Sequence, residues 1–216
     1  MNKFKANISI LGDICPTVDT QLAIESGNAK HVLGDVHSRI EKSDFSLCNV
    51  EFPMIDGGEA AVKTGPILGA KTSAIQFFEN AGFSLVSLAN NHIKDYGEEG
   101  VRSTLKVARD AGIPTVGAGL NLAEAKLGYV QDVNGLKIGV MAFAEQEFNT
   151  ATETSPGSSF LDPYTDFDKI KDFKATVDYL IVLYHGGIEY YEYPSPILQK
   201  KCRKLVESGA DYVSCQ

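Results

Sequence analysis

The sequence predicts an α/β domain, and three observations carry that prediction. Apolar runs of strand length each stop at a polar residue, segments of helical spacing lie between them, and 216 residues with 44% hydrophobic content suffice for one large core. The stretch Ser87–Gly100 organises the rest. There the apolar run Ser84–Leu88 halts at Asn90-Asn91-His92 and passes into an acidic, glycine-punctuated helix start. Such a run reads as a buried strand reaching its carboxyl edge, where open α/β sheets bind ligands. Asn90, Asn91, His92 and Asp95 are thereby expected at one place. Asn90 alone has the plainer reading of a turn residue, because asparagine tolerates unusual backbone angles and bonds locally. No turn rule asks for an imidazole at His92.

In chain order, Ile8–Leu11 is a short strand stopped by Gly12-Asp13. Val32, Leu33, Val36 and Ile40 keep helical spacing up to Ser43, and Phe45–Val50 is a second strand ending at Glu51. Asp56–Gly69 is glycine-rich, contains Pro66 and reads as a long loop. Ala74, Phe77, Phe78 and Ala81 share a helix face that Gly82 closes. Val101, Leu105 and Ala108 mark a helix running to Ala111, stopped by Gly112, and Thr115–Val116 is a brief strand. Tyr129–Val133 and Lys137–Phe143 flank Asn134-Gly135, a hairpin signal. Glu147–Asp166 is polar and reads as a loop or lid. Tyr179–Tyr184 is a strand ending at His185, Ile197–Ser208 a helix, and Asp211–Ser214 the start of one more strand. There is no internal repeat.

Net charge is −8 with no basic half, which argues against nucleic acid as the main partner. Lys200, Lys201, Arg203 and Lys204 read as a solvated helix face. Cys15, Cys48, Cys202 and Cys215 lack CxxC spacing, so neither a zinc ribbon nor a thioredoxin motif is supported. The apolar run after Phe4 is too short for a signal peptide, and no stretch approaches the roughly 18 apolar residues of a membrane span. A cytoplasmic protein with reduced thiols is the expectation, unless a leader precedes this sequence. Oligomeric state is not readable from it.

Several strands end on a residue able to bind a metal: Asp13, Glu51, Asn91-His92 and His185. Taken singly, Asp13 could cap a turn and His185 could be a hydrogen-bonded core imidazole. Taken together, oxygen and imidazole donors converging from separate strand ends suit a hydrolytic site for two divalent ions, with Glu51 as the bridge.

The blocks GDICP (12–16), NVEFP (49–53), ANNHIKDYGEEG (89–100), GAGLNLAEA (117–125), HGGIEY (185–190) and GADYV (209–213) occur in the order found in the bacterial capsule-synthesis family associated with poly-γ-glutamate, the CapA type. Nearly the whole chain resembles that family, which is similar to the calcineurin-like metallophosphoesterases. The resemblance implies an α/β sandwich of mixed sheets flanked by helices. It also implies that Asp13 binds a first metal, Glu51 bridges two, Asn91 and His185 serve the second, and His92 contacts the phosphate or protonates the leaving group. Asp95 and Glu189 would take supporting roles, such as orienting a histidine. The metals would be manganese, zinc or iron.

The chain departs from that pattern at two places. Cys15 stands where the wider fold has the histidine of an aspartate-x-histidine pair, and the fold's His-x-His would follow Gln216. The resemblance therefore implies one domain over 1–216 that is incomplete at its C-terminus, with too few ligands for full activity. Two functions stay open. One is a metal-dependent hydrolase acting on a phosphoester or on bonds of an anionic capsule polymer. The other is a non-catalytic module that assists polymer synthesis or export by binding.

Overall fold

The computed structural model describes residues 5–216. The chain opens with β1 (Ile8–Ile14), the short helices α1 (Gln21–Glu25), α2 (Ala29–Leu33) and α3 (His37–Ile40), and β2 (Phe45–Val50). An irregular stretch leads to α4 (Ile75–Ala81), β3 (Leu85–Ser87), α5 (Gly97–Asp110) and β4 (Thr115–Val116). Then come β5 (Ala118–Gly119), α6 (Leu122–Ala125), β6 (Tyr129–Val133), β7 (Leu136–Ala144) and β8 (Gly157–Ser158). The last elements are α7 (Asp166–Lys174), β9 (Tyr179–His185), α8 (Pro196–Glu207) and β10 (Tyr212–Cys215).

Two four-stranded sheets form the middle of the molecule. The first is β1-β2-β3-β4, parallel throughout; the second is β10-β9-β7-β6, parallel except for the β6–β7 hairpin. Asn134 and Gly135 in that hairpin both take positive φ, as a tight turn between twisted strands requires. Side-chain alternation then divides the apolar residues among three cores. Phe45 and Leu47 of β2 meet Ile138, Val140, Ile181 and Leu183 between the sheets. Cys48 and Val50 point the other way, onto a core that includes Phe77, Phe78 and Val101 from α4 and α5. Leu180, Val182 and Tyr184 of β9 face Ile170 and Leu205 from α7 and α8. The result is a helix–sheet–sheet–helix sandwich.

The same alternation aims the polar residues. Asn49 continues the inward face of Phe45 and Leu47, and His185 continues that of Ile181 and Leu183. Asp13 reaches this face only through an irregularity. Ile10 pairs with Leu47 but Asp13 pairs with Asn49, so β1 carries one extra residue over that interval. Without the bulge Gly12 would stand opposite Asn49, and the carboxylate would turn towards the helices.

Four expectations need correction. The first strand does not stop at Gly12-Asp13, because the bulge lets it run on to Ile14. The helix expected through Val32–Ile40 is broken at Gly34, whose φ of 52° no continuing helix tolerates. The Glu147–Asp166 tract is a loop for most of its length, as one of its two readings had it, and not the lid of the other. Asn149, Ser158 and Ser159 within it are buried, and β8 pairs with β5. Lys201 leaves the solvated face expected for its helix: it bonds the Tyr184 hydroxyl and the Glu145 carboxylate from a part-buried position. Among the described residues no helix is long and apolar enough to cross a membrane.

Candidate metal centre

The carboxyl ends of both sheets open onto a cleft of about 410 Å³ lined by Asp13, Glu51, Asn91 and His185, with Glu145, Glu147 and Glu189 at its rim. A larger groove of about 790 Å³, beside α5, contains none of these residues. Glu51 is held just beyond β2 by its backbone N–H, which donates to Ile14 O at 3.0 Å. The corner after β3 is braced by Asn90, which is fully buried. Its Nδ2 donates to Val50 O at 2.8 Å and its Oδ1 accepts from the His92 backbone at 3.1 Å. Asn90 is thus a turn residue, and the bracing presents Asn91 to the cleft and holds His92 buried beside Glu51.

His185 stands at the centre. Its Nε2 lies 3.1 Å from Asn91 Oδ1 and 3.5 Å from Glu51 Oε1. Its Nδ1 lies 3.4 Å from Asp13 Oδ1 and 3.2 Å from Asn49 Nδ2. Both groups face Nδ1, so with a proton there the ring donates to Asp13, and without one it accepts from Asn49. His92 Nε2 lies 3.8 Å from Glu51 Oε1, and its Nδ1 lies 2.7 Å from Asp95 Oδ2. Of the five residues singled out in the sequence, Asp13, Glu51, Asn91 and His185 line the cleft, whereas His92 is buried outside its lining and approaches it through Glu51. Asp95 touches a histidine as expected, while Glu189 lines the cleft and makes no hydrogen bond to either histidine among the described residues.

The charges are strongly coupled. Burial favours a neutral Asp13, but hydrogen bonds from His185 and Asn49 outweigh it and hold the carboxyl below its ordinary value. Burial, then the neighbouring Asp13 charge, pushes Glu51 up. Burial would lower His185, yet the Asp13 bond and the Asp13 and Glu51 charges raise it. Burial followed by the Glu51 and Asp13 charges pushes the Cys15 thiol up. Cys15 is not among the residues whose donor atoms converge in the cleft, so it does not stand in for an imidazole there.

Asp13, Glu51 and His185 each offer one donor atom, and these atoms all lie within 4.8 Å of one another. Oxygen and imidazole donors of this kind fit a divalent first-row ion. Asn49 is not among the residues that the sequence singles out. It is wholly buried and donates to Asp13 Oδ1 at 2.6 Å, while its own Oδ1 accepts from Asn90 at 3.2 Å. The signal for it is there: a lone amide inside an apolar strand, on the face shared with Phe45 and Leu47.

Comparison with known proteins places the chain among capsule proteins. Residues 7–216 match the family described as bacterial capsule synthesis protein PGA_cap. The capsule biosynthesis protein CapA of Bacillus anthracis is 29% identical over 218 residues, covering 97% of this chain and 53% of that protein. The PGA biosynthesis protein CapA of Bacillus subtilis (strain 168) is 27% identical over 210 residues, covering 95% and 55% respectively. The chain spans about half the length of these curated relatives. Among solved structures, a 5'-nucleotidase precursor from Thermus thermophilus aligns with a TM-score of 0.50 at 16% identity, over 84% of this chain and 37% of that one. That likeness concerns the fold alone, the calcineurin-like metallophosphoesterase arrangement.

Proposed function

The chain belongs to the bacterial capsule synthesis protein family, and from that premise we propose that it is a metal-binding capsule or poly-γ-glutamate biosynthesis protein that hydrolyses phosphoester or polymer bonds. The observation that carries this is the convergence of Asp13, Glu51 and His185, with His92 Nε2 turned towards Glu51. Asp13, Glu51, Asn91 and His185 would hold one or two divalent ions, with Glu51 shared if there are two. A bound ion supplies Lewis-acid polarisation and water activation.

The chain's own residues do the rest. Asn49 orients Asp13 and His185. Asp95 occupies His92 Nδ1, which leaves Nε2 as the atom that passes a proton to a leaving group. Among the described residues no lysine or arginine lines the cleft. An anionic substrate would therefore meet five carboxylates beside His185, Asn91 and Gln216, and its binding would depend on the ion's charge.

A second reading, a module that binds capsule polymer without turnover, is favoured by Cys15, which stands where the wider fold has a histidine and lies outside the group formed by Asp13, Glu51 and His185. Calorimetric titration of manganese, zinc and iron, with hydrolysis assays on a phosphodiester and on poly-γ-glutamate, separates these. Metal-dependent turnover lost in His92→Ala, with metal binding retained, supports the hydrolase. Metal binding without turnover supports the module. No binding of any of the three ions overturns the hydrolase.

A further inference from the structure

Lys63 has no part in the metal centre, yet its ammonium ends beside His92. Its Nζ donates to Asp95 Oδ1 and lies 3.1 Å from His92 Nδ1. The side chain is only 11% exposed, and the Phe148 ring centroid lies 5.3 Å from the charge. Lys63 is carried by the irregular stretch 56–69, and that stretch is tied to two consecutive residues. Ala61 N donates to Asp95 O and Leu68 N to Asp95 Oδ2, both at 2.8 Å. The Tyr96 ring presses so closely on the chain that a Cβ at Gly69 would fall 2.5 Å from its Cε2. A long side chain on an unfastened loop would have to give up its rotamer freedom to reach this spot. The fastening brings it there.

Resting on the reading of His92 as proton carrier, we propose that Lys63 is a positioning residue that pins the Asp95 carboxylate and so keeps His92 turned with Nε2 towards Glu51. Asp95 is fully buried. Its Oδ2 accepts from Leu68 N and His92 Nδ1, whereas its Oδ1 has Lys63 as its one partner among the described residues. Nδ1 cannot donate to Asp95 and accept from Lys63 at once. The 2.7 Å contact with a carboxylate takes the proton, so Lys63 acts through Asp95. Removing it strands a buried carboxylate oxygen, and an unpartnered buried acceptor is driven to find another donor. The carboxylate then rotates and the ring loses its single orientation.

The test is imidazole ¹⁵N NMR on histidine-labelled, metal-free protein, with His92 assigned through His92→Gln. Wild type should give one sharp ring signal set for His92, with a protonated, hydrogen-bonded Nδ1. Lys63→Met, which keeps length and apolar packing, should split or broaden that set, and Lys63→Arg should restore it. Manganese affinity should be unchanged in Lys63→Met, because Lys63 bonds none of the proposed ligands. An unaltered His92 signal in Lys63→Met overturns the proposal. So does equal disturbance in the Met and Arg variants together with lost thermal stability, which would make Lys63 merely structural. If wild type binds no ion but the ring result holds, the metal reading fails and the lysine clamp stands.

Discussion

Asn49 donates a 2.6 Å hydrogen bond to Asp13 across neighbouring strands, and the same amide nitrogen lies 3.2 Å from His185 on the opposite sheet. One buried amide thus touches two proposed ligands that come from different layers. Replacing Asn49 with Ala should weaken manganese binding by roughly 10–100-fold, the usual cost of losing a partner that orients ligands. Asn49→Asp should be worse, since it sets a second carboxylate against Asp13. Calorimetric titration of both variants checks this. Wild-type affinity in Asn49→Ala would show that Asp13 needs no orienting partner.

Glu51 should be the most damaging ligand to lose. Its Oε1 lies within 3.5 Å of His185 and 3.8 Å of His92, so it faces the cleft histidine and the buried one beside it. If it bridges two ions, Glu51→Gln also leaves two cations with less charge between them, and their repulsion is strong away from bulk water. Glu51→Gln should abolish binding stoichiometry above one ion, while Asp13→Asn should lower affinity and keep a site at His185 and Asn91. Two ions bound by Glu51→Gln with unchanged affinity would refute the bridge.

Metal binding should release a proton near neutral pH. In the metal-free protein His185 is raised above its ordinary value and Asp13 is lowered below its own. The His185 contribution to stability is therefore full below its unfolded value and fades as pH rises through the folded one. The Asp13 contribution is full above its unfolded value and fades as pH falls through the folded one. The pair stabilises the metal-free fold between those limits, and an incoming ion must displace the His185 proton. Affinity should rise with pH until His185 is neutral, and titrations in buffers of different ionisation enthalpy should report proton release. Affinity independent of pH across that range would remove His185 from the ligand set.

Two glycines of similar backbone geometry should respond differently to alanine. Gly82 closes α4 at φ 78° with nothing within 4 Å of a built Cβ, so Gly82→Ala should cost only the left-handed penalty of roughly 1–2 kcal/mol. Gly117, at φ 85°, would place a Cβ 2.6 Å from Ala89 Cβ and 2.9 Å from Ala142 Cβ. Overpacking there adds roughly 1–3 kcal/mol. Denaturant midpoints for the two variants give the comparison, and equal losses would mean that the Ala89–Ala142 contact yields freely.

Much of this is legible in the sequence where one physical signal dominates. Phe45–Val50 coincides with β2, because an apolar run between turn residues can hardly be anything else. Asn134-Gly135 marks its hairpin, and Gly82 its helix end, through backbone angles that few residues adopt. Asp13 stands out as a candidate while its strand is ended too soon, since a bulge leaves no trace in composition. Asn149 and Ser158 look like solvated loop when polarity is read as exposure. They bond each other at 2.8 Å, and Asn149 also bonds the carbonyl of Asn90. Polar residues satisfied by one another inside a protein are invisible to a hydropathy pattern.

His185 approaches from the second sheet, and Asp13, Glu51 and Asn91 approach from the first. An ion held by all of them would act as a rivet through the seam between the two layers. Its binding free energy would then be added to the joint between the sheets, and to the resistance of the whole sandwich to unfolding, by mass action. A chelator would loosen the molecule along that seam, so protease nicking at the rim segment after His185 would report the loss of the ion without any substrate present.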